Sequence, residues 1–297
     1  MIFGIGTVVV DEVVELPKFP AADTKIEITR HWKQVGGPVP VALSTAAFYG
    51  SKTAFMGRWG NDQAGHFIQS TLHERSIDVS SSHMSDDWTS GFAHVWIDRS
   101  TGERTIAFSR GSLQIPVADD VAANVLDNCE ILHLDGWASS AAMRAAEIVK
   151  MNGGMVVLDA GSVKPGLSDL LPLVDVLIAS GLFRRSQFGH EDVEPCELLS
   201  LGPADVITTS GAEGASWILA DEVLHSPAMK IAAIDTNGAG DIFSGAILHG
   251  LANKWDRQVS LNFANAVAGY SCTQHGNYQL PAVISPGGSR LKYSDFR

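Results

Sequence analysis

The stretch that decides the fold is D-T-N-G-A-G-D at residues 235–241, which is followed at once by the largely apolar run I-F-S-G-A-I-L at residues 242–248. This pattern predicts a loop that opens a helix. The small residues 238–240 let backbone N–H groups converge at the helix N-terminus, whose partial positive charge suits a phosphate. Asp241 lies in the first turn, where we expect that field to keep it ionised and able to accept a proton. The segment therefore indicates phosphoryl transfer to a hydroxyl.

Helix capping alone can also place glycines and an aspartate at the start of a helix, so G-A-G-D by itself leaves both interpretations open. The flanking residues favour the functional one. D-T-x-G-A-G-D before a small-residue helix resembles the C-terminal signature of the ribokinase-like, or PfkB, carbohydrate kinase family. V-G-G-P-V-P-V-A at 35–42 and F-M-G-R-W-G-N-D at 55–62 resemble its N-terminal signature in order and spacing. The resemblance implies a kinase that uses ATP and Mg²⁺ to phosphorylate a sugar.

Composition limits the class of protein. The chain has 297 residues, 45% of them hydrophobic, which is enough for one large α/β domain with an accessory element. A formal net charge of -12 argues against nucleic acid or an anionic membrane surface as the main partner. The apolar runs are too short to cross a membrane. The three cysteines are widely spaced and lack C-x-x-C spacing, which predicts buried thiols of a cytoplasmic protein.

Short apolar runs separated by helix-length segments have the rhythm of a parallel sheet covered on both faces. We predict such strands at residues 1–6, 8–10, 131–134, 155–158, 176–178 and 206–209, and helices at 141–151, 167–171 and 259–272. The predicted fold class is α/β: a three-layer α/β/α ribokinase-like fold with a mostly parallel central sheet and a small antiparallel β lid.

Two regions break this rhythm and predict the lid. Residues 24–29 alternate polar and apolar like a half-exposed strand, and residues 91–97 and 103–108 read as a hairpin. We therefore predict one kinase domain over residues 1–297, with a lid formed by about residues 11–34 and 88–112 inserted into it. A lid would keep water from the transferred group, whereas a decorative or dimerising hairpin is the alternative. In the resembled family the lid often does both, so a homodimer through the lid is also expected.

The resemblance implies that Asp241 is the general base and that Gly238, Ala239 and Gly240 form the anion hole. The predicted acceptor-binding residues are Asp11, Gly36, Gly37, Lys25, Arg104 and Trp137. A carboxylate suits two neighbouring hydroxyls, and a Gly-Gly pair lets the backbone approach a polyol closely. Lys25, Arg104 and Arg110 are the cations best placed to meet a phosphate or an acidic sugar substituent, and we expect one of the three to be functional.

The nucleotide side is predicted from T-T-S-G-A-E-G-A at 208–215 and from the small-residue helix at 263–273, which resembles the wall of the adenine site. By periodicity alone that helix is equally a core helix. The predicted nucleotide-binding residues are Thr209, Gly211, Gly214, Asn237, Asn265 and Ala268.

The chain departs from the family at its metal and sugar positions. Where the family has N-x-x-E, this sequence has Ser180 and Phe183, so the usual carboxylate is absent, with Asp159 and Glu213 as candidate replacements. Mg²⁺ would then be held mainly by nucleotide phosphates. Pro40 or Val41 stands where an Asn usually meets the sugar. A K⁺ site at Asp235 is a further candidate.

Two other functions stay open. The acceptor can be a nucleoside instead of a sugar, and the missing carboxylate permits a non-catalytic sensor that binds a sugar or nucleotide. The complete G-A-G-D loop argues against the sensor. A P-loop kinase is not supported, because no G-x-x-x-x-G-K-[ST] sequence occurs.

Overall fold

The central sheet is built from the short apolar strands, since a sheet covered on both faces needs apolar side chains on both. In the computed structural model, which describes residues 1–101, 104–112, 115–137 and 140–281, this sheet has nine strands. In spatial order they are Val223–Ser226 (β15), Ala215–Ile218 (β14), Asp205–Thr209 (β13), Val176–Ser180 (β12), Met155–Ala160 (β11), Ile131–Leu134 (β10), Ile2–Ile5 (β1), Thr53–Met56 (β4) and Ile77–Asp78 (β6). The pairings of β14 are antiparallel and all others are parallel.

Helices cover both faces of this sheet. One face carries Pro38–Phe48 (α1), Gln63–Glu74 (α2), Ala239–Ala252 (α7) and Arg257–Ser271 (α8). The other carries Ser140–Met151 (α3), Leu167–Leu170 (α4), Gly181–Phe188 (α5) and Pro195–Leu199 (α6). Because neighbouring strand residues point to opposite faces, Val157 packs in the first layer and Leu158 in the second. The three-layer arrangement is confirmed, and the three predicted helices are each found within two residues of their predicted ends.

A second, smaller sheet stands beside the core. Its order is Arg30–Gly36 (β3), Val9–Leu16 (β2), Gly91–Asp98 (β8) and Arg104–Ser109 (β9), and Arg58–Gly60 (β5) pairs separately with His83–Ser85 (β7). The outer pairings β3–β2 and β8–β9 are antiparallel, whereas β2 and β8 run parallel. The predicted hairpin is β8 and β9, although Glu103 lies outside the described residues.

Two strand predictions are wrong. Residues 8–10 do not belong to the central sheet, because the chain turns at Gly6–Val8 and Val9 already pairs within the small sheet. Residues 25–29 have no regular structure; the strand is β3, which begins at Arg30. Pairing with β2 stops near Glu15, which leaves the segment before Thr29 without a partner strand.

The three cysteines differ in their exposure. Cys129 is buried, Cys272 is half-buried and Cys196 is exposed, so the expectation of three buried thiols is wrong for Cys196. Within the described segments no helix has both the length and the apolar character needed to cross a membrane.

Candidate active site

The loop before α7 adopts the backbone that its sequence predicts. Gly238 is the N-cap residue of α7 and has a φ of 77°, a left-handed conformation that favours glycine. Asp241 follows in the first helical turn and lies half-buried in the wall of a cavity. The turn therefore brings a carboxylate and exposed backbone amides to one place.

The amides of this turn are only partly used. The N–H of Ala239 donates to the Thr236 carbonyl over 3.3 Å, a long hydrogen bond. Among the described residues, no acceptor is found for the N–H groups of Gly238 and Gly240. A β-carbon added at Gly240 would meet no atom within 4 Å, so there is open space beside the Gly240 backbone. The turn can thus receive an anion at the positive end of the helix.

Asp11 faces this loop from the small sheet. It is buried in β2, where Gln34 donates to its Oδ2 over 3.2 Å and the Asn237 side chain also donates to the carboxylate. A β-carbon at Gly36 would lie 2.5 Å from Asp11 Oδ1, so the carboxylate packs directly on the Gly36 backbone. The structure therefore brings Asn237, which the sequence analysis assigned to the nucleotide, to the Asp11 side of the loop.

A cavity of about 310 Å³ joins these groups. Asp11, Gly36, Gly37, Trp137, Gly238 and Asp241 all line it. The small sheet contributes Ala93 of β8 and two side chains of β9, Ile106 and Phe108, which are 45% and 62% exposed. Their exposure leaves apolar surface at the mouth of the cavity, where a bound molecule would cover it.

Electrostatics at Asp241 differ from the prediction. Burial raises the pKa of Asp241 well above its ordinary value, and the carboxylates of Asp159 and Asp11 raise this pKa further, while Arg104 lowers it. The expectation that Asp241 is kept ionised is therefore wrong in direction, because loss of solvation and the neighbouring carboxylates favour its protonated form. A carboxylate of raised pKa is a better proton acceptor once ionised.

Asp159 lies behind Asp241 and is tied to the same helix. Its Oδ2 accepts a hydrogen bond of 2.7 Å from Ser244, one turn after Asp241 on α7. Burial raises the pKa of Asp159 to about 6, and the charge of Asp135 adds to this rise, whereas the Ser244 bond and Lys164 oppose it. The two carboxyls of Asp159 and Asp241 therefore titrate as a pair.

The predicted cations do not share one location. Lys25 is exposed in the irregular segment before β3 and does not line the cavity, so the structure does not bring it to the site. Arg104 of β9 donates to the Thr236 side chain over 2.8 Å and so reaches the loop that precedes α7. Arg110 lines the cavity, with its guanidinium carbon 4.9 Å from the centre of the Trp137 indole.

The predicted nucleotide residues lie on elements next to each other. Thr209 ends β13, and Gly211 and Gly214 bound the short 3₁₀ turn that follows it. Asn265 of α8 donates to the Ser226 carbonyl over 2.7 Å, the same carbonyl that a side chain at Gly214 would strike. Ala268, one turn further along α8, is half-buried.

No metal site is built at the family position. Ser180 caps α5 by accepting a hydrogen bond from the Phe183 amide, and the Phe183 ring is fully buried. Within the described segments no group of three His, Cys, Asp or Glu residues could hold a metal ion. The Asp235 carboxylate, proposed for K⁺, accepts the amides of Asn237 and Gly276 at 2.8 and 3.0 Å.

Several lining residues escaped the sequence analysis. They are Thr7, Arg58, Trp88, Ile106, Phe108 and Asn277. The sequence contains a signal for Ile106 and Phe108. They alternate with Arg104 and Arg110 at a spacing of two, which places all four on one face of an extended segment. Lys164, also in the lining, lies in the loop after β11, at the strand ends where α/β folds bind ligands.

Comparison with known proteins gives the family. A profile described as pfkB family carbohydrate kinase matches residues 1–282. The chain belongs to the pfkB carbohydrate kinase family. It is 24% identical to a ribokinase of Haemophilus influenzae over 285 residues, which cover 92% of either chain. It is 30% identical to a fructokinase of Klebsiella pneumoniae over 73% of this chain and 76% of that one, and 29% identical to an aminoimidazole riboside kinase of Salmonella typhimurium over 76% and 78%.

Solved structures agree on the fold of this pfkB carbohydrate kinase. Arabidopsis thaliana ribokinase complexed with ribose and ATP superimposes with a TM-score of 0.78 at 22% identity, covering 93% of both chains. An Escherichia coli candidate ribokinase II in complex with ATP and Mg²⁺ gives 0.80 at 23% identity, covering 94% of both. At these identities the structures establish the fold alone, and the predicted family and fold class are confirmed.

Proposed function

We propose that this pfkB kinase transfers the γ-phosphoryl group of ATP to a hydroxyl of a sugar or sugar derivative, with Asp241 as general base. The observation that carries the proposal is the cavity in which Asp241 and the free amides of its turn face Asp11 and Gly36. One wall suits a phosphate and the opposite wall suits a diol. This arrangement is what direct transfer between two bound substrates requires.

In the proposed step, Asp241 takes the proton from the acceptor hydroxyl as that oxygen bonds to the γ-phosphorus and the bond to ADP breaks. The amides of Gly238 and Gly240 donate to the transferred group, and Ala239 joins them when it gives up its long bond to Thr236. Asp11 holds neighbouring hydroxyls so that the attacking one stays close to Asp241.

The phosphoryl donor in this proposal is ATP, in line with the ATP-bound structures of the same fold. Thr209, Gly211, Gly214, Asn265 and Ala268 are proposed to border it. Mg²⁺ would neutralise the ATP phosphates, but the residues at the family position offer it no carboxylate, so no step is assigned to it. K⁺ near Asp235 remains part of the proposal, and comparing activity in potassium and sodium salts tests it.

The central test is Asp241→Asn, which removes the base and keeps the shape of the side chain. We expect ATP affinity within about threefold of wild type and a loss of turnover of about 10²-fold or more, since a positioned base contributes about that much. Calorimetry gives the affinity and coupled ADP release gives the rate. Asp221→Asn, on an exposed turn, is the matched control. Near-normal turnover of Asp241→Asn would remove Asp241 from its proposed role.

A nucleoside acceptor is the second candidate, favoured by the relative that phosphorylates a riboside and by the Trp88 and Trp137 rings in the cavity wall. ADP release with ribose, fructose, ketodeoxy sugars, adenosine and inosine separates the two acceptor classes. Mg-dependent ADP release with any of them excludes a non-catalytic sensor.

The small sheet is proposed to act as a lid, over residues 11–34 and 88–112 of one kinase domain. Ile106 and Phe108 support this, because they expose apolar surface at the cavity mouth that a bound acceptor would cover. A homodimer through the outer face of this lid is part of the same proposal.

A further inference from the structure

Arg110 and Lys164 both lie close to one aromatic ring in the cavity wall. The guanidinium carbon of Arg110 is 4.9 Å from the centre of the Trp137 indole, and Lys164 Nζ is 5.5 Å from it. Both residues line the same cavity as Asp11 and Asp241. In a chain of net charge -12, two cations on one wall of a sugar cavity call for a reason.

These two charges are not neutralised by ion pairs. Arg58, the third cation in the lining, is paired with Asp120 at 2.8 Å. Arg110 and Lys164 form no ion pair within 4.0 Å in the parts of the chain that the structure describes. Lys164 donates to Ser162 and lowers the pKa of the buried Asp135 and Asp159, so part of its charge serves them. Among the described residues, the charge of Arg110 has no such partner.

Aromatic rings hold the guanidinium of Arg110, and no acceptor in the described segments of the chain takes its N–H donors. Its central carbon is 5.6 Å from the Phe108 ring centre as well as 4.9 Å from that of Trp137. Contacts with ring faces orient the group, but they do not use the N–H donors along its edge. An oriented guanidinium with free donors is a receptor for a carboxylate or a phosphate.

Arg104 and Arg110 contact different parts of the site. Arg104 begins β9 and Arg110 directly follows its last residue, Ser109, so six steps of chain, about 20 Å if fully extended, separate their backbones. Arg104 bonds to Thr236, in the loop that opens α7, whereas Arg110 contacts Trp137. Arg110 is therefore held on the Trp137 side of the cavity.

We infer that Arg110, assisted by Lys164, binds an anionic substituent of the acceptor, so that the substrate is an acidic or phosphorylated sugar and not a neutral one. The inference rests on the proposed function, because it deepens the identity of the acceptor. A neutral sugar would leave the donors of Arg110 unused. A carboxylate or phosphate at the far end of the sugar would accept them while its free hydroxyl faces Asp241.

The test compares three ligands that differ only at C6: fructose, fructuronate and fructose 6-phosphate. Calorimetry on the intact protein should give dissociation constants for at least one anionic ligand that are about tenfold or more below that of fructose. Arg110→Met should abolish this preference and leave fructose binding within about twofold. Arg110→Lys should restore part of it, and Arg99→Met, at an exposed arginine in the turn that follows β8, is the matched control. The two anionic ligands distinguish a carboxylate from a phosphate site.

The inference is overturned if neither anionic ligand binds in an Arg110-dependent way, or if Arg110→Met weakens all three ligands equally, as loss of packing would. ADP release is measured in parallel. Arg110-dependent binding without ADP release from any sugar would leave the anion site standing and refute the kinase proposal. ADP release from fructose, without tighter binding of either anionic ligand, would support the kinase proposal and refute the anion site.

Discussion

At the scale of single residues, the proposed chemistry rests on a pair of carboxyls. The buried Asp159 and the half-buried Asp241 lie near the same turn of α7, and loss of solvation raises the pKa of each. The sequence identifies Asp241 because G-A-G-D is a local pattern. It identifies Asp159 only as a strand-end carboxylate, because its contact with Ser244 joins residues 85 positions apart. Local sequence therefore predicts the proposed base, but it does not predict the neighbouring carboxyl that raises its pKa.

This pairing predicts the pH dependence of the reaction. If Asp241 must be ionised, the rate rises with pH through a pKa that lies above the ordinary value of an aspartate, because burial and Asp159 both disfavour its ionised form. Asp159→Asn removes one negative charge, lowers the pKa of Asp241 and should move the acid limb of kcat/KM to lower pH. Asp169→Asn on the exposed face of α4 should leave the limb unchanged. An acid limb that stays fixed or moves upward in Asp159→Asn would contradict the pairing.

At the scale of elements, α1 and α7 set the distance between the two sides of the site. The Gly36-Gly37 pair precedes α1, and Gly238 precedes α7, so the contact between these helices fixes both loops. The two helices approach closely at Gly245, where an added β-carbon would strike the Ala42 carbonyl and lie 2.6 Å from Thr45 Cβ. The separation of the Gly36-Gly37 loop and the Gly238 loop therefore depends on a residue without a side chain.

We predict that Gly245→Ala forces α7 away from α1. The expected cost is about 1–3 kcal/mol of unfolding free energy, typical of overpacking, together with a larger fall in kcat than in ATP affinity. Urea unfolding and steady-state kinetics measure the two effects. Gly161→Ala is the control, because a β-carbon there would meet no atom within 4 Å. Unchanged stability and kcat in Gly245→Ala would show that the helices can move apart freely.

The elements also show what sequence can predict. Most strands of the central sheet are largely apolar, so β1, β10, β11, β12 and β13 are recognised from local composition. Strand β3 is missed because it runs from exposed Arg30 to buried Gly36, and this gradient hides any alternation. Local sequence also does not show that Val9 belongs to the small sheet, because its partners Gly36 and Gly91 lie far along the chain. The small sheet is therefore defined by pairing between distant segments and not by local conformational preference.

At the scale of the whole molecule, the small sheet has two different faces. Val13, Ala93, Val95 and Ile97 are buried on the face toward the cavity. On the opposite face, Phe92 and Phe19 are 39% and 49% exposed, and the rings of Phe92, His94, Trp96 and Phe19 form a continuous row of contacts. A row of exposed aromatic rings on a sheet is typical of an interaction surface.

The proposed dimer predicts that this aromatic row is covered in solution. Sedimentation velocity at micromolar concentration should give a dimer for the wild-type protein, and Phe92→Glu should shift it to a monomer because a charge buried in the contact would lack a partner. Met151→Glu is the matched control: Met151 is 78% exposed at the end of α3, in the helical layer and not in the small sheet. A monomeric wild type, or equal disruption by both variants, would contradict the dimer.

The dimer also predicts a kinetic effect, because the same sheet contributes Ile106 and Phe108 to the cavity. A dimer that holds β8 rigid should lower KM for the acceptor. Phe92→Glu should therefore raise KM more than it lowers kcat.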